Sequence, residues 1–240
     1  MTPPRRPRGL FIDLTEGVYW FLALDVLLVL ASAPTLVLWT VMSPGPMSSL
    51  LFVLGAFPLL PALAAGLYAC RAWREERELT PARHVLKGYR LNAADSLKVG
   101  MPVLLVLALL AFNLTSAGAA ANRLLTIVLL VAGAAALLVL ARVLSVVSTF
   151  SFRVRDVYRL AAFTLLVRPL STLALLSLGV LVLGIVLLVG EFLLLFTASL
   201  LVFALWASER PVVQLLTEQF VSPEVPDEVA LAPGGYAKLL

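Results

Sequence analysis

The chain has 240 residues, 61% hydrophobic and 13% charged, with a mean hydropathy of +1.02. A soluble fold of this length needs more polar surface. The apolar runs are continuous rather than alternating over ~10 residues, so a soluble domain and a membrane β-barrel are both excluded. The net charge is +4, but the basic residues gather at the ends of the apolar runs, which argues for membrane edges and against nucleic-acid binding.

Residues 1–9 read as a disordered Pro/Arg tail, and no small-residue cleavage site follows the first apolar run, so no removable signal peptide is expected. Leu10 to Glu16 is expected along the interface, with Phe11 and Leu14 dipping inward. The first span is placed at 18–42, with Tyr19 and Trp20 in the interfacial belt and a kink at Pro34. Asp25 lies inside this span. A carboxylate there costs ~2.5–3.5 kcal/mol on insertion scales, so it should face other helices, be protonated, or pair, with Arg142 or Lys98 as candidate partners.

The second span is placed at 48–72, bent or locally unwound by Pro58 and Pro61. Arg71 to Lys98 then carries seven of the eighteen Lys and Arg residues and forms a first connector. Thr80-Pro81 reads as a helix start. Beyond it, Val85, Leu86, Tyr89 and Ala93 form an apolar stripe opposite Arg83, Lys87 and Arg90. His84, the only histidine, is expected on the solvated face, and Cys70, the only cysteine, cannot form a disulfide within the chain.

The third and fourth spans are placed at 98–114 and 124–147, with Arg142 near the end of the fourth. A second basic connector follows, containing Arg155, Tyr158 and Arg159. The Tyr-Arg-Leu triplet at 89–91 recurs at 158–160, which suggests a duplicated, parallel unit. The fifth and sixth spans are placed at 170–189 and 192–208, with Gly190-Glu191 as a tight hairpin; a single long tilted helix is the alternative. Residues 211–240 read as a flexible tail, which leaves 10–210 as one six-helix membrane domain. Seventeen of the eighteen Lys and Arg fall on one side of such a fold, with only Arg123 opposite, so both termini are expected in the cytoplasm.

The sequence contains no Walker lysine after a glycine loop and no G-x-S-x-G, H-E-x-x-H or paired-cysteine motif. Neither an enzyme nor a metal or cofactor site is expected. The reading is therefore an all-α, polytopic membrane protein. Its candidate polar site is Asp25 with Arg142. Its candidate partner-docking surface is Arg83, Lys87, Tyr89, Arg90, Arg155, Tyr158 and Arg159.

The segments FLALDVLLVLASAP, FPLLPALAAGLYACRAWREE, HVLKGYRLNAADSLKVG and VYRLAAFTLLVRPLSTLALL together resemble the YesV-like family of bacterial membrane proteins. The resemblance covers roughly residues 15–205. Relatives often carry asparagine where this chain has Asp25. They tend to have a Tyr and a Pro where Leu-Ser-Val-Val precedes the second connector. The resemblance implies a bacterial inner-membrane accessory protein that assists sugar uptake by an ABC transporter. The partners are the lipid bilayer and either transporter subunits or another membrane or cytoplasmic protein, and a homo-oligomer is compatible with it. Two alternatives stand beside this reading. One is an ABC-importer permease, echoed by Gly88 and Pro102 although the expected Glu-Ala-Ala start is replaced by Pro81-Ala82-Arg83. The other is a small secondary transporter built on Asp25.

Overall fold

The computed structural model describes residues 10–42, 45–76, 80–116, 122–150 and 152–220. The expected tail at 1–9, the turn at 43–44, Arg77 and residues 221–240 lie outside them. Within the described residues the chain is helical, with no strand. In order the helices are α1 (Leu10–Val41), α2 (Pro46–Leu54), α3 (Leu59–Glu76), α4 (Pro81–Thr115), α5 (Arg123–Val147), α6 (Val154–Val167), α7 (Pro169–Leu188) and α8 (Phe192–Phe220). Six segments are long and apolar enough to cross a membrane, and α2 with α3 together make one of them. The protein is thus an all-α polytopic membrane fold.

The break between α2 and α3 falls where Pro58 and Pro61 place it. The ladder there tightens, with Ala56 N–H bonding to Val53 O at 3.1 Å and Phe57 N–H to Leu54 O at 3.1 Å. The Trp39 indole from α1 donates to Phe52 O at 2.9 Å and stacks on the Phe52 ring at 4.2 Å. A similar device recurs at two more prolines. Pro102 stands inside α4 and Pro211 inside α8, and each removes one helical donor. The carbonyls that lose a donor are four residues back, at Lys98 and Ala207, and the next carbonyl along each helix accepts a hydroxyl from another helix. Tyr158 of α6 donates to Val99 O, and Ser171 of α7 donates to Ser208 O at 2.6 Å.

Helices α3 and α4 form a close hairpin. A Cβ on Gly88 would lie 2.9 Å from Tyr68 Cβ, so only glycine fits there without displacing backbone. The first connector and third span are one 35-residue helix, α4. The second connector, α6, instead stops at Val167, and α7 begins at Pro169 after Arg168. Proline at the first helical position starts a helix cleanly but cannot continue the one before it. The two basic segments therefore differ in their junction with the following span. At the far end, α7 and α8 join through Gly190, whose φ of +110° is the left-handed turn expected for a hairpin at 190–191.

Several sequence expectations are corrected. Leu10–Glu16 continues directly into the first span as part of α1. Trp20 is wholly buried and stacks on Trp73 with ring centroids 4.7 Å apart, while only Tyr19 faces outward. The last helix does not end near Ser208 but runs to Phe220. Val202, Leu205, Glu209, Val212 and Leu216 are all buried and recur at alternating steps of three and four, the spacing of one helical face. Pro211 points off that face, so burial carries the helix past it.

Candidate functional site

The polar chemistry collects at the connector end of the bundle. Arg142 near the end of α5 is fully buried, and so is Glu209 of α8. Arg142 Nη1 lies 3.2 Å from Glu209 Oε2. The approach is Coulombic and lies off the hydrogen-bond axis, so Oε2 and Arg142 Nε make no hydrogen bond. Two hydroxyls of α7 complete the surroundings. Nη1 donates to Ser171 Oγ and Nη2 to Thr172 Oγ1, each at 3.3 Å. Ser171 itself donates to Ser208 O, and Thr172 donates to Leu165 O at 2.9 Å. The pair therefore clamps α5, α7 and α8 together.

This overturns the expected pairing of Asp25 with Arg142 or Lys98. Asp25 Oδ1 accepts the Ser199 backbone N–H at 2.8 Å, which ties α1 to α8. Lys98 pairs locally with Asp95 at 3.1 Å, and both are exposed. Glu209, Ser171 and Thr172 were not legible as site residues. The available signal was the buried periodicity of α8, combined with the need of an intramembrane Arg142 for a counter-charge.

The expected docking surface divides by side chain. Arg83, Lys87 and Arg90 are exposed on α4, as are Arg155 and Arg159 on α6. Tyr89 is half-buried against the core, and Tyr158 turns inward to Val99 O. Burial pushes the Tyr158 phenol up from its ordinary value. The stripe itself is rotated. His84 is buried at 4% exposure with no partner for Nε2, whereas Leu86 is 53% exposed beside Lys87. The cause is Gly88, since the close approach of α3 sets the inner face at 81, 84, 85, 88 and 96. Gly88 thus acts as a packing residue inside an unbroken helix.

Beside the Arg142–Glu209 pair lies a cavity of about 700 Å³ between α3, α5 and α8. Its charged lining is Arg71, Arg74, Glu75, Glu209 and Arg210, and Ser145 lies on its wall. Among the described residues no three His, Cys, Asp or Glu side chains come together as a metal site.

No protein-family model matches the sequence, and no curated protein or solved structure is significantly similar to it. The fold and the site define an integral membrane protein of six spans with a buried ion pair at its connector end.

Proposed function

We propose that the protein is a membrane accessory subunit that docks a partner through its two connectors, and that this partner is a sugar-importing ABC transporter in a bacterial inner membrane. One observation carries the reading. Each connector exposes apolar side chains among its cations: Leu86 and Leu91 beside Lys87 and Arg90, and Phe163 and Leu166 near Arg159. Exposed leucines ringed by basic groups suit a protein surface with an apolar centre and an acidic rim. The charge asymmetry supports a cytoplasmic position for both connectors, and the likeness to YesV-like proteins supports the transporter as partner. The ionisable groups also favour docking over a secondary transporter, because Asp25 and Arg142 are engaged by α8.

The test is gentle purification of the tagged protein from its native membrane after cross-linking. A transporter subunit should co-purify in stoichiometric amount. Charge reversal at Lys87 and Arg90, or at Arg155 and Arg159, should release it. Absence of a reproducible partner, or capture that survives both reversals, refutes the proposal. Labelling of cysteines introduced between Thr80 and Asp95 from outside intact cells would refute the orientation.

A further inference from the structure

We propose that the cavity between α3, α5 and α8 is a binding site for a phosphate ester, separate from the docking surface. The cavity of about 700 Å³ falls within the roughly 300–1,000 Å³ usual for small-ligand sites. Arg71, Arg74 and Arg210 project to it from two helices. Against them stands Glu75, since the charge of Glu209 is already matched by Arg142. Among the described residues, none of the three arginines makes an ion pair or a hydrogen bond. Three cations against one unmatched carboxylate leave the lining net positive, and an anion in the cavity offsets that charge.

Two of the guanidinium groups are held in place before any ligand arrives. Arg71 Cζ lies 5.3 Å from the Tyr68 ring centroid, and Arg210 Cζ lies 5.2 Å from that of Trp206. A cation–π contact of this kind restrains the guanidinium over the ring and leaves its N–H groups able to fork onto two oxygens. Phosphate oxygens accept such forks, and a phosphate monoester carries about −1.5 to −2 charges at neutral pH. That nearly offsets the surplus of the three arginines over Glu75, and a phosphodiester, with one charge, offsets half of it.

The wall supplies a further donor. Ser145 is buried, lines the cavity, and its hydroxyl has no hydrogen-bond partner. A buried hydroxyl without a partner is costly, and a ligand oxygen would satisfy it. Ser148 and Thr149 also line the cavity, but both donate to Ser145 O, at 2.8 and 3.3 Å. They and Glu75 are therefore acceptors toward a ligand. The lining thus offers donors for a phosphate and acceptors for hydroxyl groups, which is the pattern of a phosphorylated polyol. Such a group could come from a soluble metabolite or from a lipid headgroup.

The two sources are separated by two probes on the full-length protein. In detergent, glycerol 3-phosphate is titrated while tryptophan fluorescence is followed, since Trp206 lines the cavity. In nanodiscs, native mass spectrometry counts phosphatidylglycerol retained from a mixture with phosphatidylcholine. Binding of the first probe identifies a soluble ligand, and retention of the second alone identifies a lipid. The R71Q/R210Q pair should weaken whichever binding occurs by about tenfold or more. K87Q/R90Q, on the exposed face of α4, should leave it unchanged. Should R71Q/R210Q fold poorly, R74Q and S145A each provide the same comparison with a smaller loss. Binding of neither probe overturns the proposal. So does equal weakening by the cavity and connector variants, which would show a diffuse charge effect.

Discussion

Replacing Glu209 by Gln should destabilise the protein by about 3–5 kcal/mol. The magnitude follows from the geometry. At 3.2 Å, and with an effective dielectric near 20, two unit charges attract by about 5 kcal/mol. The substitution removes that attraction and leaves the Arg142 charge where water does not reach it, its side chain being 0% exposed. Ser171 and Thr172 cannot replace the anion, because their oxygens already accept from Arg142 and neutral hydroxyls carry no charge to offset it. Removing both charges is a different perturbation. In Arg142→Met/Glu209→Leu no buried charge remains, and the two hydroxyls keep their backbone acceptors. The double variant should therefore lie within about 1–2 kcal/mol of the wild type, far closer than Glu209→Gln. Lys98–Asp95 provides the internal comparison. Its separation is 3.1 Å, but its side chains are 63% and 47% exposed, so Asp95→Asn should cost under about 1 kcal/mol. Reversible unfolding in mixed dodecyl maltoside and SDS micelles, followed by circular dichroism, measures all three. A Glu209→Gln loss no larger than that of Asp95→Asn would refute the reasoning. A double variant as unstable as Glu209→Gln would also refute it.

Three further outcomes are expected. Gly88→Ala places a methyl 2.9 Å from Tyr68 Cβ and should cost about 1–3 kcal/mol, read as a lower thermal unfolding midpoint; an unchanged midpoint would mean that α3 and α4 approach less closely. Gly190→Ala forces a side chain onto a residue at φ +110° and should cost about 1 kcal/mol or more, whereas Gly133→Ala, with open space around it, should cost nothing measurable by the same assay. Tyr158→Phe removes the bond to Val99 O and should lose about 0.5–1.5 kcal/mol near neutral pH. Burial raises the phenol pKa in the folded state, so the folded protein holds that proton more tightly than the unfolded chain. The associated stability is complete below the ordinary tyrosine value near ~10 and is lost as pH rises through the raised one. Unfolding measured from neutral to strongly alkaline pH should show this loss in the wild type, and a smaller one in Tyr158→Phe.

The spans were legible because lipid demands long apolar runs, and little else satisfies that demand. The break at Pro58 and the hairpin at Gly190 were legible for a similar reason, since each rests on one residue with restricted or special backbone geometry. Which side of each helix faces inward was less accessible. Leucine is as comfortable in lipid as in a protein interior, so Leu181 and Leu24 look alike in sequence although one is exposed and the other buried. Small residues decide the inner face instead. Gly88 turned His84 inward and Leu86 outward, against a stripe drawn from hydrophobicity alone. Glu209 was hidden for another reason. It adjoins Arg210 and Pro211, a triplet that reads as the polar end of a span, and only the periodicity of Val212 and Leu216 beyond it shows that the buried face continues.

Three of the proline-containing spans show how such a bundle fixes the register of its helices. Apolar packing in lipid is nearly indifferent to sliding one helix along another. A hydrogen bond from a side chain of one helix to a backbone carbonyl of another is not, because it forms at one height only. The Trp39 indole meets Phe52 O, the Tyr158 phenol meets Val99 O and the Ser171 hydroxyl meets Ser208 O, and in each case the donor stands on a different helix. A shift of one residue in any of these pairs would break its bond. Each acceptor lies a few residues before a proline, and one polar side chain on another helix meets it. Ser171 joins this system to the ion pair, since the same hydroxyl that caps Ser208 O also accepts from Arg142. The alignment of α7 with α8, and of α5 with both, is therefore fixed at a single point, next to Glu209 on the wall of the arginine-lined cavity.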